Sequence, residues 1–146
     1  MHSDTKMSTR CISVSSRLDQ IERIGQVVDE CAQVAGFDDR LSYACQLAVG
    51  EACENIIKHG YGMENSGIIE AIIHAKPGKL MIELVDNAPP FNVAQEPNID
   101  STHPDDPPIG GLGLRIIHKV MDKVEYHRRG DHNHLKLYKS CNVSVT

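Results

Sequence analysis

A chain of 146 residues with 40% apolar content is of a size to bury one core without staples, and a single domain over 1–146 is expected. Its net charge of −5, with 15 basic residues scattered rather than striped, and its 4% aromatic content without Trp exclude the electrostatic and stacking surfaces that nucleic-acid binding uses. Five cysteines, none in C-x-x-C spacing, read as reduced and mostly buried thiols. The polar start MHSDTKMSTR and the lack of any long apolar run predict a cytoplasmic protein without membrane partners.

In chain order, Cys11 to Val14 alternate weakly as a short strand, and Ser15-Ser16 then suit the cap of a helix over 18–34. Its apolar face is Leu18, Ile21, Ile24, Val28, Cys31 and Ala35, at spacings of three and four. Gly36 closes it. Asp38 or Asp39 opens a second helix running to about His59, with Leu41, Ala44, Leu47, Ala48, Ala52 and Ile56 inward and Gly60 as its stop. The period then changes to that of strands at 68–75 and 80–85, joined by the turn residues Lys76-Pro77-Gly78-Lys79. From Asn87 to Gly113 periodicity disappears, and every proline but Pro77 falls there. A loop of that length inside a compact domain is either disordered or a functional lid. A third helix over 114–121 and strands over 123–129 and 134–139 complete the chain. The order predicts an α+β two-layer sandwich, a mostly antiparallel sheet covered on one face by helices.

Three segments carry candidate chemistry. Glu51 and Asn55 stand one turn apart beside the apolar Ala48, Ala52 and Ile56, so they either satisfy one another or face a ligand. The Asn55 carbonyl suits a hard cation such as Mg²⁺, and the Glu51 carboxylate suits accepting a proton. Asp86 ends an apolar strand, where it either caps the turn or accepts a hydrogen bond from an exocyclic amine such as that of adenine. The run Gly110, Gly111, Leu112, Gly113, Leu114 enters a helix. It offers backbone N–H groups to a phosphate, or else serves only as a hinge.

Taken together, GEACENIIKHGY, DNAPPF and PIGGLGLRIIHKVMD resemble the three ATP-binding boxes of the anti-sigma-factor serine/threonine kinases, within the superfamily of gyrase, sensor histidine kinases and mismatch-repair ATPases. The likeness runs from about Ser42 to Lys139, and Asn133 to Leu137 resembles the family's last strand. The resemblance implies a Bergerat-type sandwich, ATP with Mg²⁺, Asn55 as metal ligand and Asp86 as adenine anchor. His59, Phe91 and the Gly110 to Leu114 loop join the nucleotide-binding set. Glu51 would be the base that activates a serine or threonine hydroxyl on an antagonist protein. A sigma factor and a second copy of the chain are the other partners it implies.

Two positions depart from the family pattern. Ala88 stands where many members have glycine, and Ile109 stands before the glycine loop where a basic residue is usual, which leaves Lys58 or Arg115 as nearby cations. The rival reading is therefore a silent binding module that uses ATP only to set its shape. The tripeptide His132-Asn133-His134 lacks the context of a nuclease motif, and the eight histidines are assigned no metal.

Overall fold

The computed structural model describes residues 7–90 and 111–142, with backbone alone for Gly111 and Leu112. Strand β1 (Ser8–Ser15) leads through a 3₁₀ turn (Leu18–Gln20) into α1 (Ile21–Val34), then α2 (Asp39–Asn55) and a π-helical extension (Ile56–Tyr61). Strands β2 (Ile68–Lys76) and β3 (Lys79–Asp86) follow, then α3 (Gly111–Val120), β4 (Lys123–Arg129) and β5 (His132–Ser140). The five strands form one antiparallel sheet in the order β1-β2-β3-β5-β4, so the α+β sandwich expected from the element pattern is the fold observed.

Alternation sets the layers. Ile69, Ala71, Ile73 and Ala75 of β2, Leu80, Ile82 and Leu84 of β3, and Leu135 and Leu137 of β5 are buried, while their neighbours in each strand are less covered. Onto these residues α1 lays Ile24, Val27, Val28, Cys31 and Ala32. The inward stripe of α2 is made of smaller residues, Cys45, Ala48, Val49, Ala52 and Cys53, which allow helices on both sides of it to approach closely. Leu18 and Leu47, expected on the inward faces, are instead 39% and 40% exposed. Both line a surface groove of about 390 Å³ that also reaches Ile21, Gly50 and Glu51.

Two helix boundaries differ from expectation for local reasons. The Ser16 hydroxyl does not cap a helix. It accepts from the backbone N–H of Ser66 (2.9 Å) and Gly67 (3.0 Å), tying the end of β1 to the approach of β2. Asp38 does cap α2, accepting from the Leu41 N–H at 2.8 Å. At the other end Gly60 does not stop the helix. The backbone widens into the π-helical turn and ends at Gly62, whose φ of +86° is left-handed and whose N–H reaches the Ile57 carbonyl. Gly60 serves a packing purpose, because a Cβ there would lie 3.2 Å from the Ala88 methyl.

Candidate nucleotide site

The last two turns of α2 bring Glu51 and Asn55 to the same face. Asn55 is 6% exposed, and its Nδ2 is buried without a hydrogen-bond partner. A buried amide in that state costs about 1–3 kcal/mol, which a ligand would recover. Glu51 is half-buried, with its Oε1 against α3 at Gly113, where a Cβ would sit only 2.7 Å from it. Burial raises its pKa above the usual carboxylate range, the neighbouring Glu54 adds to the rise, and Lys58 opposes it. Lys58 itself is exposed and bound to Glu54 at 2.7 Å, so its ammonium is already engaged. Arg115 lies exposed on α3, and His59 lies exposed in the π-helical turn.

At the end of β3, Asp86 is 5% exposed and accepts through Oδ1 from the Ala88 N–H (2.9 Å) and the Asn133 Nδ2 (2.8 Å). Register places Asn133 directly across from Asp86 at the start of β5. The same Asn133 amide donates to the Ala88 carbonyl at 3.0 Å, and its Oδ1 accepts from Tyr126 and from Arg128. Arg128 also donates to the Ala88 carbonyl at 2.8 Å. Burial pushes the Asp86 pKa up, and the bonds from Asn133 and Ala88, with the charge of Arg128, pull part of it back. The nearby Cys53 thiol is pushed up to about 12 by burial and by the Asp86 charge, so it is an inert core group at neutral pH.

Tyr61 closes the frame from the helix side. Its hydroxyl lies 2.8 Å from the Ile68 carbonyl, 2.7 Å from Asn87 Oδ1 and 3.2 Å from the Asn87 N–H, fixing the turn that follows Asp86. Ala88 is buried, and the methyl that replaces the family's usual glycine fits because position 60 has none. The departure at residue 88 is thus accommodated by Gly60.

Helix α3 starts at Gly111, three residues earlier than expected, so Gly111 to Leu114 form its first turn rather than a preceding loop. Leu114 is buried and Gly113 faces Glu51. Phe91, Gly110, Ile109 and the body of the expected lid lie outside the described residues. The structure therefore gathers α2, the Asp86 turn and the first turn of α3 around one region. Asn133, Arg128, Tyr126 and Tyr61 belong to its frame, although none of them is among the expected site residues, Tyr61 and Asn133 standing only within matched motifs. Asn133 carried a usable signal, because it is a polar residue in phase with the inward Leu135 and Leu137.

Among the described residues no group of three or more His, Cys, Asp or Glu could cage a metal ion. The unmatched Asn55 Nδ2 is a donor that suits a phosphate oxygen or a water, and the Oδ1 of the same amide is the atom that would fit Mg²⁺, which uses few protein ligands. Among the described residues no helix is long and apolar enough to cross a membrane.

The antiparallel sandwich thus carries a buried Asp86 at the end of β3 and, on α2 beside a glycine-led helix, an Asn55 amide with an unmatched Nδ2. Residues 14–139 match the histidine kinase-like ATPase domain family, and the chain belongs to it. Its curated relatives include the serine-protein kinase RsbW of Halalkalibacterium halodurans, 32% identical over 63% of this chain and 62% of that protein. The RsbW of Listeria innocua is 33% identical, over 66% and 64%. The serine/threonine-protein kinase BtrW of Bordetella bronchiseptica is 28% identical, over 67% and 70%. The match thus spans less than two thirds of the length of the RsbW relatives. The same fold occurs in a Mycobacterium tuberculosis protein with RsbU and RsbW domains, with a TM-score of 0.59 at 13% identity, covering 91% of this chain and 32% of that one. The likeness to RsbW and BtrW agrees with the anti-sigma-factor kinase resemblance of the motifs, and the domain family implies ATP as the nucleotide.

Proposed function

We propose that this chain binds Mg-ATP and phosphorylates a serine or threonine of an antagonist protein. The observation that carries the reading is the juxtaposition across α2 and α3. A half-buried carboxylate with a raised pKa sits against Gly113, one turn from a buried amide with an unmatched atom. Glu51 accepts the proton of the attacking hydroxyl, and a raised pKa makes it a better base than an ordinary carboxylate. Asp86 is held through Oδ1 by Asn133 and the Ala88 N–H, and its Oδ2, which no described residue engages, is offered to the adenine amine. The first-turn N–H groups of α3 face the phosphates. Mg²⁺, held by the Asn55 amide oxygen, would neutralise charge on the phosphate oxygens. The products are ADP, the phosphorylated residue, and a proton on Glu51 for release to water.

The test is incubation with γ-labelled ATP and the candidate antagonist, followed by phosphoamino-acid analysis, for the native chain and Glu51→Gln. The variant should keep ATP affinity within a few fold and lose transfer by roughly 10²- to 10⁴-fold. One observation favours a second reading, a silent ATP-gated module that sequesters a sigma factor or other regulator. The Lys58 ammonium, a candidate cation in the π-helical turn that follows α2, is committed to Glu54. ATP binding without transfer to any antagonist serine would decide for that module.

A further inference from the structure

The surface groove noted between the start of α1 and the face of α2 ends at Glu51 and Glu54. Its apolar wall comes from two elements: Leu18, in the turn before α1, and Leu47, one helical turn before Glu51 on α2, with Ile21 as a third contributor. Tyr43, one turn further back on the same face of α2, is exposed as well. Single exposed leucines need no explanation, but two of them meeting in one depression beside a half-buried carboxylate do. Leu18 is also fixed in place, because its backbone N–H donates to Glu64 Oε1 at 2.7 Å.

Gly50 supplies an independent observation. It lies in the interior of α2, where glycine weakens a helix relative to alanine. Neither its backbone nor its packing requires it. Its φ is not among the positive ones, and an added Cβ would meet only the Ile21 Cγ2, at 3.8 Å, an ordinary contact. Gly60 and Gly113 differ in this respect, since a Cβ there would meet a neighbour at 3.2 and 2.7 Å. What the missing side chain at position 50 leaves is depth in the groove, next to Glu51. A local rule broken without a structural return marks a functional position.

We propose that this groove seats a leucine-sized apolar side chain two positions from the acceptor serine or threonine of the antagonist protein, so that Leu18, Leu47 and Gly50 set substrate specificity. The proposal rests on Glu51 as the group that takes the hydroxyl proton. That reading fixes where the acceptor residue lies and makes the adjoining groove part of the face that receives the protein substrate. Leu47 precedes Glu51 by about 6 Å along α2. In an extended segment, residues two apart project to the same side about 7 Å apart, so a hydroxyl at Glu51 brings its neighbour of that spacing over Leu47 and Gly50. Of the two carboxylates at the groove's end, Glu54 is already paired with Lys58 at 2.7 Å, so the groove selects by apolar burial rather than by charge.

The test uses the full chain with Mg-ATP and two labelled 11-residue peptides, each with one central serine in a Gly/Gln background. One carries Leu two residues before and two residues after the serine, and the other carries Ala at both places. Fluorescence polarisation reads binding, and γ-labelled ATP reads transfer. The Leu peptide should bind roughly tenfold more tightly than the Ala peptide and show a KM lower by a similar factor at comparable kcat. Gly50→Ala should remove that preference while its melting temperature holds or rises and its ATP affinity is unchanged, and Leu47→Asp should remove the preference too. A glycine kept for packing would instead lower the melting temperature or weaken both peptides alike. Equal affinity of the native chain for the two peptides, or no measurable binding of either, overturns the proposal, as does a preference that survives Gly50→Ala. A Leu preference in binding without transfer keeps the groove and places the failure in the kinase reading, whereas transfer to both peptides at equal kcat/KM does the reverse. Loss of self-association in Leu47→Asp with the preference intact would make this face an interface between copies and would also overturn the proposal.

Discussion

Replacing Gly113 with alanine probes the α2–α3 contact at a single atom. The added methyl would lie 2.7 Å from Glu51 Oε1, whereas ordinary contact begins near 3.4 Å, so the carboxylate must retreat by about 0.7 Å. The opposing atom is the tip of a flexible side chain. Relief by a rotamer change costs about 0.5–1.5 kcal/mol, against a gain of roughly 0.5–1 kcal/mol from replacing glycine within a helix. Net stability should therefore stay within about 1 kcal/mol, or a few degrees in melting temperature. Transfer should suffer far more, because a displacement approaching 1 Å at a reacting group costs on the order of 10²-fold, and a loss of roughly 10- to 100-fold is expected. Single-turnover transfer from γ-labelled ATP, measured beside ATP affinity by calorimetry, separates the two effects. Undiminished transfer with intact ATP binding would show that the position of Glu51 against Gly113 does not matter for the chemistry.

Three further outcomes follow from the same geometry. Asn55→Ala removes a buried amide whose Nδ2 already lacks a partner, so thermal unfolding should move by no more than about 1 kcal/mol while calorimetry shows Mg-dependent ATP binding lost. Asn133→Ala strips partners from Asp86, the Ala88 carbonyl and Tyr126 together, and should cost about 3 kcal/mol, or roughly 10 °C in melting temperature. Asp86 has a folded pKa raised by burial, so the folded chain binds its proton at higher pH than the unfolded chain does. Its contribution to stability therefore grows as pH falls from above the raised value toward the ordinary 3.8, while ATP affinity falls in that window as the carboxylate is neutralised. Melting and ATP titrations from pH 7 to 4 check both directions, and Asp86→Asn should remove the Asp86 part of each slope.

The sequence by itself determined the α+β sandwich, because periods of two and of 3.6 residues are written in local order and each element buries one face. It also placed Glu51 and Asn55 on one face, since a four-residue spacing on a helix needs no tertiary information. Gly60 shows where local reading stops. A glycine near a helix end looks like a terminator, yet here it marks close packing on Ala88, 28 residues further along the chain. Ser16 likewise resembles a cap and instead binds backbone N–H groups 50 and 51 residues away. The frame around Asp86 was decided only by the pairing of β3 with β5, which sets Asn133 across from it and brings Arg128 and Tyr126 to the same carbonyls and amide. Strand register joins residues distant in sequence through backbone hydrogen bonds that carry no side-chain signature, so partners of that kind become visible only when the sheet is assembled.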